Sequence, residues 1–185
     1  MGHRVCPWWI GYLLASPLRR LLQDPAAIVG SFVKEGMIIL EPGPGMGFFT
    51  LEMARRVGPK GRVIAVDVQP QMLAGLARRA RNAGLAERIE TRQASGEHLG
   101  VDDLKGRIDF ALAFAMVHEV PQPALFLQQI AHSLRPGAKL LLAEPAGHVS
   151  KDLFAAELDY ARKSGLSLES QPAIRRSQTA VLVRR

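Results

Sequence analysis

Apolar and polar positions along this chain fall into two alternating periods. Met37 to Leu40 is a short apolar run that stops at a glycine-rich turn. Phe48 to Val57 repeats at helical spacing and closes on Gly58-Pro59. Arg62–Val66 reads as a strand, and Pro70–Ala83 as a helix with Gly84 just past its end. A third strand is predicted at Ile89–Arg92, and a fourth, almost wholly apolar, at Ile108–Ala115. Ala124–Leu134 reads as a helix halted by Arg135-Pro136-Gly137, and Ala138–Ala143 as a fifth strand. Asp152–Ser164 is helical, with Gly165 as its stop. Leu168–Pro172 and Thr179–Arg184 alternate in polarity, as strands with one wet face do.

Buried strands that alternate with helices predict an α/β, doubly wound, mostly parallel sheet covered on both faces, with right-handed crossovers. The link between the last two strands is too short for a crossover helix. They are therefore expected to form an antiparallel C-terminal edge hairpin, which brings the sheet to seven strands. Residues 1–30, cut by Pro7, Pro17 and Pro25 and rich in Trp8, Trp9, Tyr12, Leu13 and Leu14, read as a helical N-terminal extension or lid on a 31–185 domain.

At 185 residues the chain has the size of one domain, and a 48% hydrophobic content can fill its core. Cys6 is the single cysteine, which excludes an internal disulfide and a multi-cysteine metal site. The opening MGHRVCPWW lacks the character of a secretory leader, and no apolar run is long enough to span a bilayer, so the expectation is a cytoplasmic protein without membrane contact. The net charge of +7 favours anionic partners only weakly, because the arginines are scattered in short clusters without interleaved aromatics.

Candidate chemistry starts at Glu41-Pro42-Gly43-Pro44-Gly45-Met46-Gly47, between an apolar strand and a helix. Glycines there let backbone approach a ligand, and the helix start offers unpaired N–H groups. The spacing is G-x-G-x-G rather than the G-x-G-x-x-G of dinucleotide folds, with an acid two residues ahead of the first glycine. A carboxylate at that place would repel a pyrophosphate and suits a ligand bearing an ammonium and a sulfonium. Asp67 ends the next strand, where a carboxylate can accept both ribose hydroxyls.

These blocks, ILEPGPGMGFFTLEMA at 39–54, VIAVDVQPQML at 63–73, IDFALAFAMVHEVP at 108–121 and LRPGAKLLLAEP at 134–145, together resemble the class I S-adenosylmethionine-dependent methyltransferases. The resemblance covers about residues 30–185 and implies the Rossmann-like methyltransferase fold, with S-adenosylmethionine as cofactor. It further implies that Gly43, Gly45 and Gly47 shape the loop around the methionine part, with Glu41 near its amino group. Asp67 would bind the ribose, with Val68 and Gln69 bordering the adenine. Family members often carry Asp in the loop after the third strand. Here that loop reads Gln93-Ala94-Ser95-Gly96-Glu97, which leaves Ser95, or backbone groups around Ala94, to meet the adenine.

The fourth strand ends at Ala115-Met116-Val117-His118, where ligands lie in this architecture, so Ala115 is expected beside the cofactor and His118 and Glu119 beside the acceptor. Methyl transfer chiefly needs an acceptor held in line with the sulfonium methyl. His118 can act as base where the acceptor must lose a proton. Glu144 and His148 should share that edge, but their spacing matches no short metal-ligand motif, and no metal is expected. The leading expectation is methylation of a small-molecule acceptor by a monomer or homodimer. The alternatives are an RNA or ribosomal methyltransferase, supported by the charge, and a non-catalytic cofactor-binding interaction module.

Overall fold

The computed structural model describes residues 23–95 and 97–185. Trp8, Trp9, Tyr12 and the rest of the expected extension up to residue 22 lie outside the described residues, as does Gly96. The described part of that extension holds one short helix, α1 (Pro25–Val29), with Pro25 in its first turn and the Asp24 carboxylate accepting the Ala26 N–H at 2.9 Å.

The elements then alternate: β1 (Ile38–Pro42), α2 (Thr50–Val57), β2 (Arg62–Asp67), α3 (Pro70–Asn82), β3 (Ile89–Gln93) and β4 (Ile108–Phe114). They continue as α4 (Pro123–Ser133), β5 (Leu134–Pro145), α5 (Lys151–Lys163), β6 (Leu166–Ser170) and β7 (Ser177–Arg184). The seven strands lie in the order β3-β2-β1-β4-β5-β7-β6. Strands β1 to β5 run parallel, and β7 is antiparallel to both β5 and β6. The fold is thus the doubly wound, mostly parallel, Rossmann-like one with an antiparallel C-terminal hairpin.

Strand periodicity sends alternate side chains to opposite faces, and both faces are buried. Ile39, Phe110, Leu112 and Leu141 pack with Leu51, Met53, Val57 and Leu76 of α2 and α3. Their neighbours Leu40, Ala111, Ala113, Leu140 and Leu142 pack with Phe126, Leu127 and Ile130 of α4 and Phe154 of α5. The sequence order reverses between β1 and β4, so the crossovers leave for opposite faces there and a crevice opens at the carboxyl ends.

Several boundaries differ from the periodicity reading. β1 runs on through Glu41 and Pro42, because Leu40, Glu41 and Pro42 pair in register with Ile64, Ala65 and Val66. α2 starts two residues late, since Phe48 and Phe49 complete the glycine turn. β4 stops at Phe114, because Ala115 adopts φ +56°. β5 begins at Leu134 rather than Ala138. Ile108 pairs with Leu134 while Phe110 pairs with Lys139, so the Arg135-Pro136-Gly137 segment bulges out of the ladder without ending it. β6 lies at Leu166–Ser170, earlier than the expected Leu168–Pro172, because buried Leu166 pairs with Arg184.

Candidate active site

A cleft of about 420 Å³ opens at the carboxyl ends of β1, β2, β4 and β5. The glycine turn forms one wall. Gly43 has φ +66° and donates its N–H to the Val66 carbonyl at 2.8 Å, which ties the turn to β2. A Cβ there would lie 3.1 Å from the Met116 Cβ, on the opposite wall. Gly45 has φ +53°, and a Cβ would point into open space. A ligand can therefore reach the backbone at that point. Gly47 has φ +85° and faces away from the cleft, where a Cβ would stand 2.4 Å from the Leu76 Cδ1. Its glycine serves the packing of the turn on α3 rather than a ligand surface.

Glu41 is buried and lines the cleft, its Oε2 accepting the Thr50 hydroxyl at 2.5 Å. Asp67 lines the cleft at the end of β2, and its Oδ1 accepts the Gln69 N–H at 2.9 Å. Burial raises the Asp67 pKa above the ordinary carboxylate value. The N–H groups of Gln69 and Gly45 pull it back, and the charge of Glu119 adds to the rise. Val68, Gln69 and Ala94 also line the cleft. Ser95 does not: it is exposed and exchanges two backbone hydrogen bonds with His98, each 3.0 Å. The turn after it instead brings Glu97, His98 and Leu99 to the cleft, residues that carried no distinguishing signal in the sequence.

The opposite wall is built by the turn after β4. Ala115 donates its N–H to the Ala143 carbonyl at 2.7 Å while holding φ +56°, a conformation that costs an L-residue about 1–2 kcal/mol. This bend releases the chain from β4 and starts a short 3-10 turn, Val117–Glu119. His118, Glu119 and His148 all line the cleft. Aromatic residues that sequence reasoning had assigned only to the helix and strand add an apolar surface. Phe49 packs on Phe48 and Phe114 with ring centroids 5.1 and 4.6 Å apart, and all three rings border the cleft.

Beneath His118 lies Glu144, fully buried near the end of β5. Its Oε1 accepts the N–H groups of Val117 at 2.8 Å and Met116 at 3.2 Å, and its Oε2 bonds the His118 Nδ1. A carboxylate only accepts, so the Nδ1 carries hydrogen and Nε2 is the nitrogen free to take a proton when the ring is neutral. The His118 Nε2 lies 4.0 Å from a Glu119 oxygen. The hydrogen bond to Glu144 raises the His118 pKa above the usual histidine value, against the opposing effect of burial.

The described cleft lining includes the acids Glu41, Asp67, Glu97 and Glu119 and no Lys or Arg, although the chain carries a net +7. Those carboxylates can accept from ribose hydroxyls and attract a cationic sulfonium ligand, and they would repel a phosphate. Among the described residues no three His, Cys, Asp or Glu side chains are grouped to hold a metal ion. No helix among them is long and apolar enough to cross a membrane.

A family model described as a methyltransferase domain matches residues 33–175. A ubiquinone/menaquinone biosynthesis C-methyltransferase UbiE from Idiomarina loihiensis is 30% identical over 123 residues, which is 66% of this chain and 48% of that protein. The Photorhabdus laumondii UbiE is 31% identical over 129 residues, 70% of this chain and 49% of that one. The chain thus spans about half the length of these curated relatives. Among solved structures, a SAM-dependent methyltransferase from Aquifex aeolicus superposes with a TM-score of 0.84 at 22% identity, covering 97% of this chain and 98% of that one.

Proposed function

Because the chain belongs to the methyltransferase-domain family, as a class I S-adenosylmethionine-dependent methyltransferase with that cofactor, we propose that it methylates a small, uncharged acceptor at the His118 end of the cleft. In this reading Gly43 and Gly45 let the backbone close on the methionine part, with the Glu41 carboxylate near its ammonium. Asp67 takes the ribose hydroxyls, and Val68, Gln69 and Ala94 border the adenine. When bound, the cofactor supplies an electrophilic methyl on a sulfonium.

The protein's task is then to hold the acceptor in line and take its proton. Phe48, Phe49 and Phe114 offer an apolar seat. Nε2 of His118 removes the acceptor's proton, and Glu144 keeps the ring in the tautomer that can do so. Glu119 and His148, which also line the cleft, contact the acceptor. The single observation that carries the proposal is the buried Glu144 carboxylate, anchored by two backbone N–H groups and aiming His118 at the cleft. The curated relatives named above are C-methyltransferases, which points to a carbon nucleophile activated by loss of a neighbouring proton. The absence of Lys and Arg from the described cleft lining favours such an acceptor over RNA, whose phosphates would need them.

The test has two stages. Calorimetric titration with S-adenosylmethionine should give saturable binding near one equivalent. A screen of phenolic, quinol and enol acceptors with methyl-labelled cofactor should then find a substrate whose turnover falls about 10²–10⁴-fold in His118→Gln. Retained turnover in that variant would remove His118 from the base role.

A further inference from the structure

Behind Glu144 the core holds a second acid with no place in the mechanism above. Glu157 sits on α5, on the same helical face as Phe154 and Ala161, and is 5% exposed. Its Oε2 is buried without a hydrogen-bond partner among the described residues. A bare carboxylate is very costly in such a place, whereas a neutral carboxyl is tolerated.

The surrounding charges are few. Of the elements packed on α5, α4 carries His132, β6 carries Glu169, and β7 carries Arg184. Glu169 is ion-paired to Lys139, and Arg184 bonds the Ser164 carbonyl. On α5 itself Asp159 pairs with Arg162 and Lys163, and Lys151 and Asp152 are exposed. Leu140 and Leu142 share a face of β5 with Glu144 and pack in one cluster with Val117 and with Phe154 and Ala161 of α5, so Glu157, between those two on the same helical face, is turned toward Glu144 and the ring it holds; the charges of Glu144 and His118 act on it there.

We propose that Glu157 is a positioning residue that works through the buried Glu144–His118 pair, its own protonation setting how tightly His118 holds a proton. While Glu157 is neutral, His118 answers to the charge of Glu144 and its neighbour Glu119. Once Glu157 ionises, a further negative charge favours the imidazolium, and the fraction of ring able to accept a proton falls. Burial, followed by the repulsion of Glu144, pushes the Glu157 pKa up to about 8, which places this ionisation just above neutrality. The titrations of Glu157 and His118 are then coupled. The proposal rests on His118 being the base, but its physical content, the coupling, does not.

The experiment is a pH titration from 5 to 10 of the His118 ring nitrogens by NMR on the full chain labelled with ¹⁵N-histidine. Wild type should depart from a single-site curve. Glu157→Gln, which keeps the neutral shape, should titrate in one step with its midpoint below that of wild type. Glu157→Met, an apolar replacement of similar length, should do the same, which covers the event that the glutamine variant folds poorly. If both variants trace the wild-type curve, the proposal is overturned, because a merely structural Glu157 would change stability and leave the ring's titration alone. If the curves separate while His118→Gln retains turnover, the coupling stands and the base assignment is the part that fails.

Discussion

Replacing Glu157 by glutamine is expected to make the protein more stable at alkaline pH and about 1–3 kcal/mol less stable in acid. The native pKa of this carboxyl is about 8, against an ordinary value of 4.5. The native state therefore holds a proton that the unfolded chain releases over that interval. Stability from this group is fully present below pH 4.5 and drains away as pH rises to 8. The interval is about 3.5 units, and each unit corresponds to about 1.36 kcal/mol, so the loss approaches about 5 kcal/mol above pH 8. Glutamine does not ionise and escapes that loss. Its amide remains buried and incompletely bonded, which costs about 1–3 kcal/mol at every pH. The net gain at pH 9 should therefore be roughly 2–4 kcal/mol, turning into a loss of about 1–3 kcal/mol at pH 4.5. Urea unfolding at a series of pH values, followed by circular dichroism, measures both curves. Part of the wild-type slope should survive in the variant: the raised pKa of His118 favours the native state below the ordinary histidine value, and that contribution is lost as pH climbs through the raised one. Parallel stability curves for wild type and variant between pH 4.5 and 9 would refute the reasoning, since they would mean that Glu157 ionises alike in both states.

Three further outcomes follow from the cleft. Gly47→Ala should lose about 2–4 kcal/mol of unfolding free energy in urea, because it combines an alanine at φ +85° with a Cβ placed 2.4 Å from Leu76; made in a Leu76→Ala background, the same change should cost only the backbone part relative to Leu76→Ala alone. Asp67→Asn should weaken S-adenosylmethionine binding about 10- to 100-fold by calorimetry, as bonds from two hydroxyls to a carboxylate become neutral ones. Glu144→Gln can still accept from the Val117 and Met116 N–H groups but turns a donor toward Nδ1, so the ring is driven into the tautomer whose Nε2 already bears hydrogen. Its turnover on an acceptor found by screening should drop about 10²–10⁴-fold, and the acidic limb of its residual pH profile should move to lower pH; an unmoved limb would separate Glu144 from the base.

Where the sequence was legible, a local rule governed the outcome. Apolar runs alternating with capped helices specified the sheet because its strands are buried on both faces, and the short final link left only a hairpin for β6 and β7. Asp67, Ala115 and His118 could be placed because ligands in this architecture lie beyond the strand ends, which is a property of topology and visible from element order. What stayed hidden depends on contacts between distant segments. Gly47 shares a motif with Gly43 and Gly45, yet it faces Leu76, 29 positions along the chain, and no spacing reveals which glycine meets a ligand and which meets a helix. Ser95 looked like an adenine contact by its place in the loop, but the bridge to His98 turns the chain and gives the cleft the residues after it. Glu157 reads as one more polar residue in an amphipathic helix, and only the packing of α5 against the sheet shows it to be buried beside another acid.

Net charge was the least informative of the sequence signals, for a physical reason. A formal +7 describes the far field and governs how the molecule meets other charged bodies in dilute solution. Recognition inside a cleft is decided by the few groups within several ångströms of the ligand, where screening is weak. Among the described residues those groups are acids and histidines, arranged around a glycine turn and an apolar floor. A protein can thus be basic overall and still present acids at its cleft. RNA binding to this chain, where it occurs, should therefore be a salt-sensitive surface event that S-adenosylmethionine does not displace. Filter binding at rising salt with and without the cofactor checks this, and competition between the two would place the RNA in the cleft and overturn the small-acceptor reading.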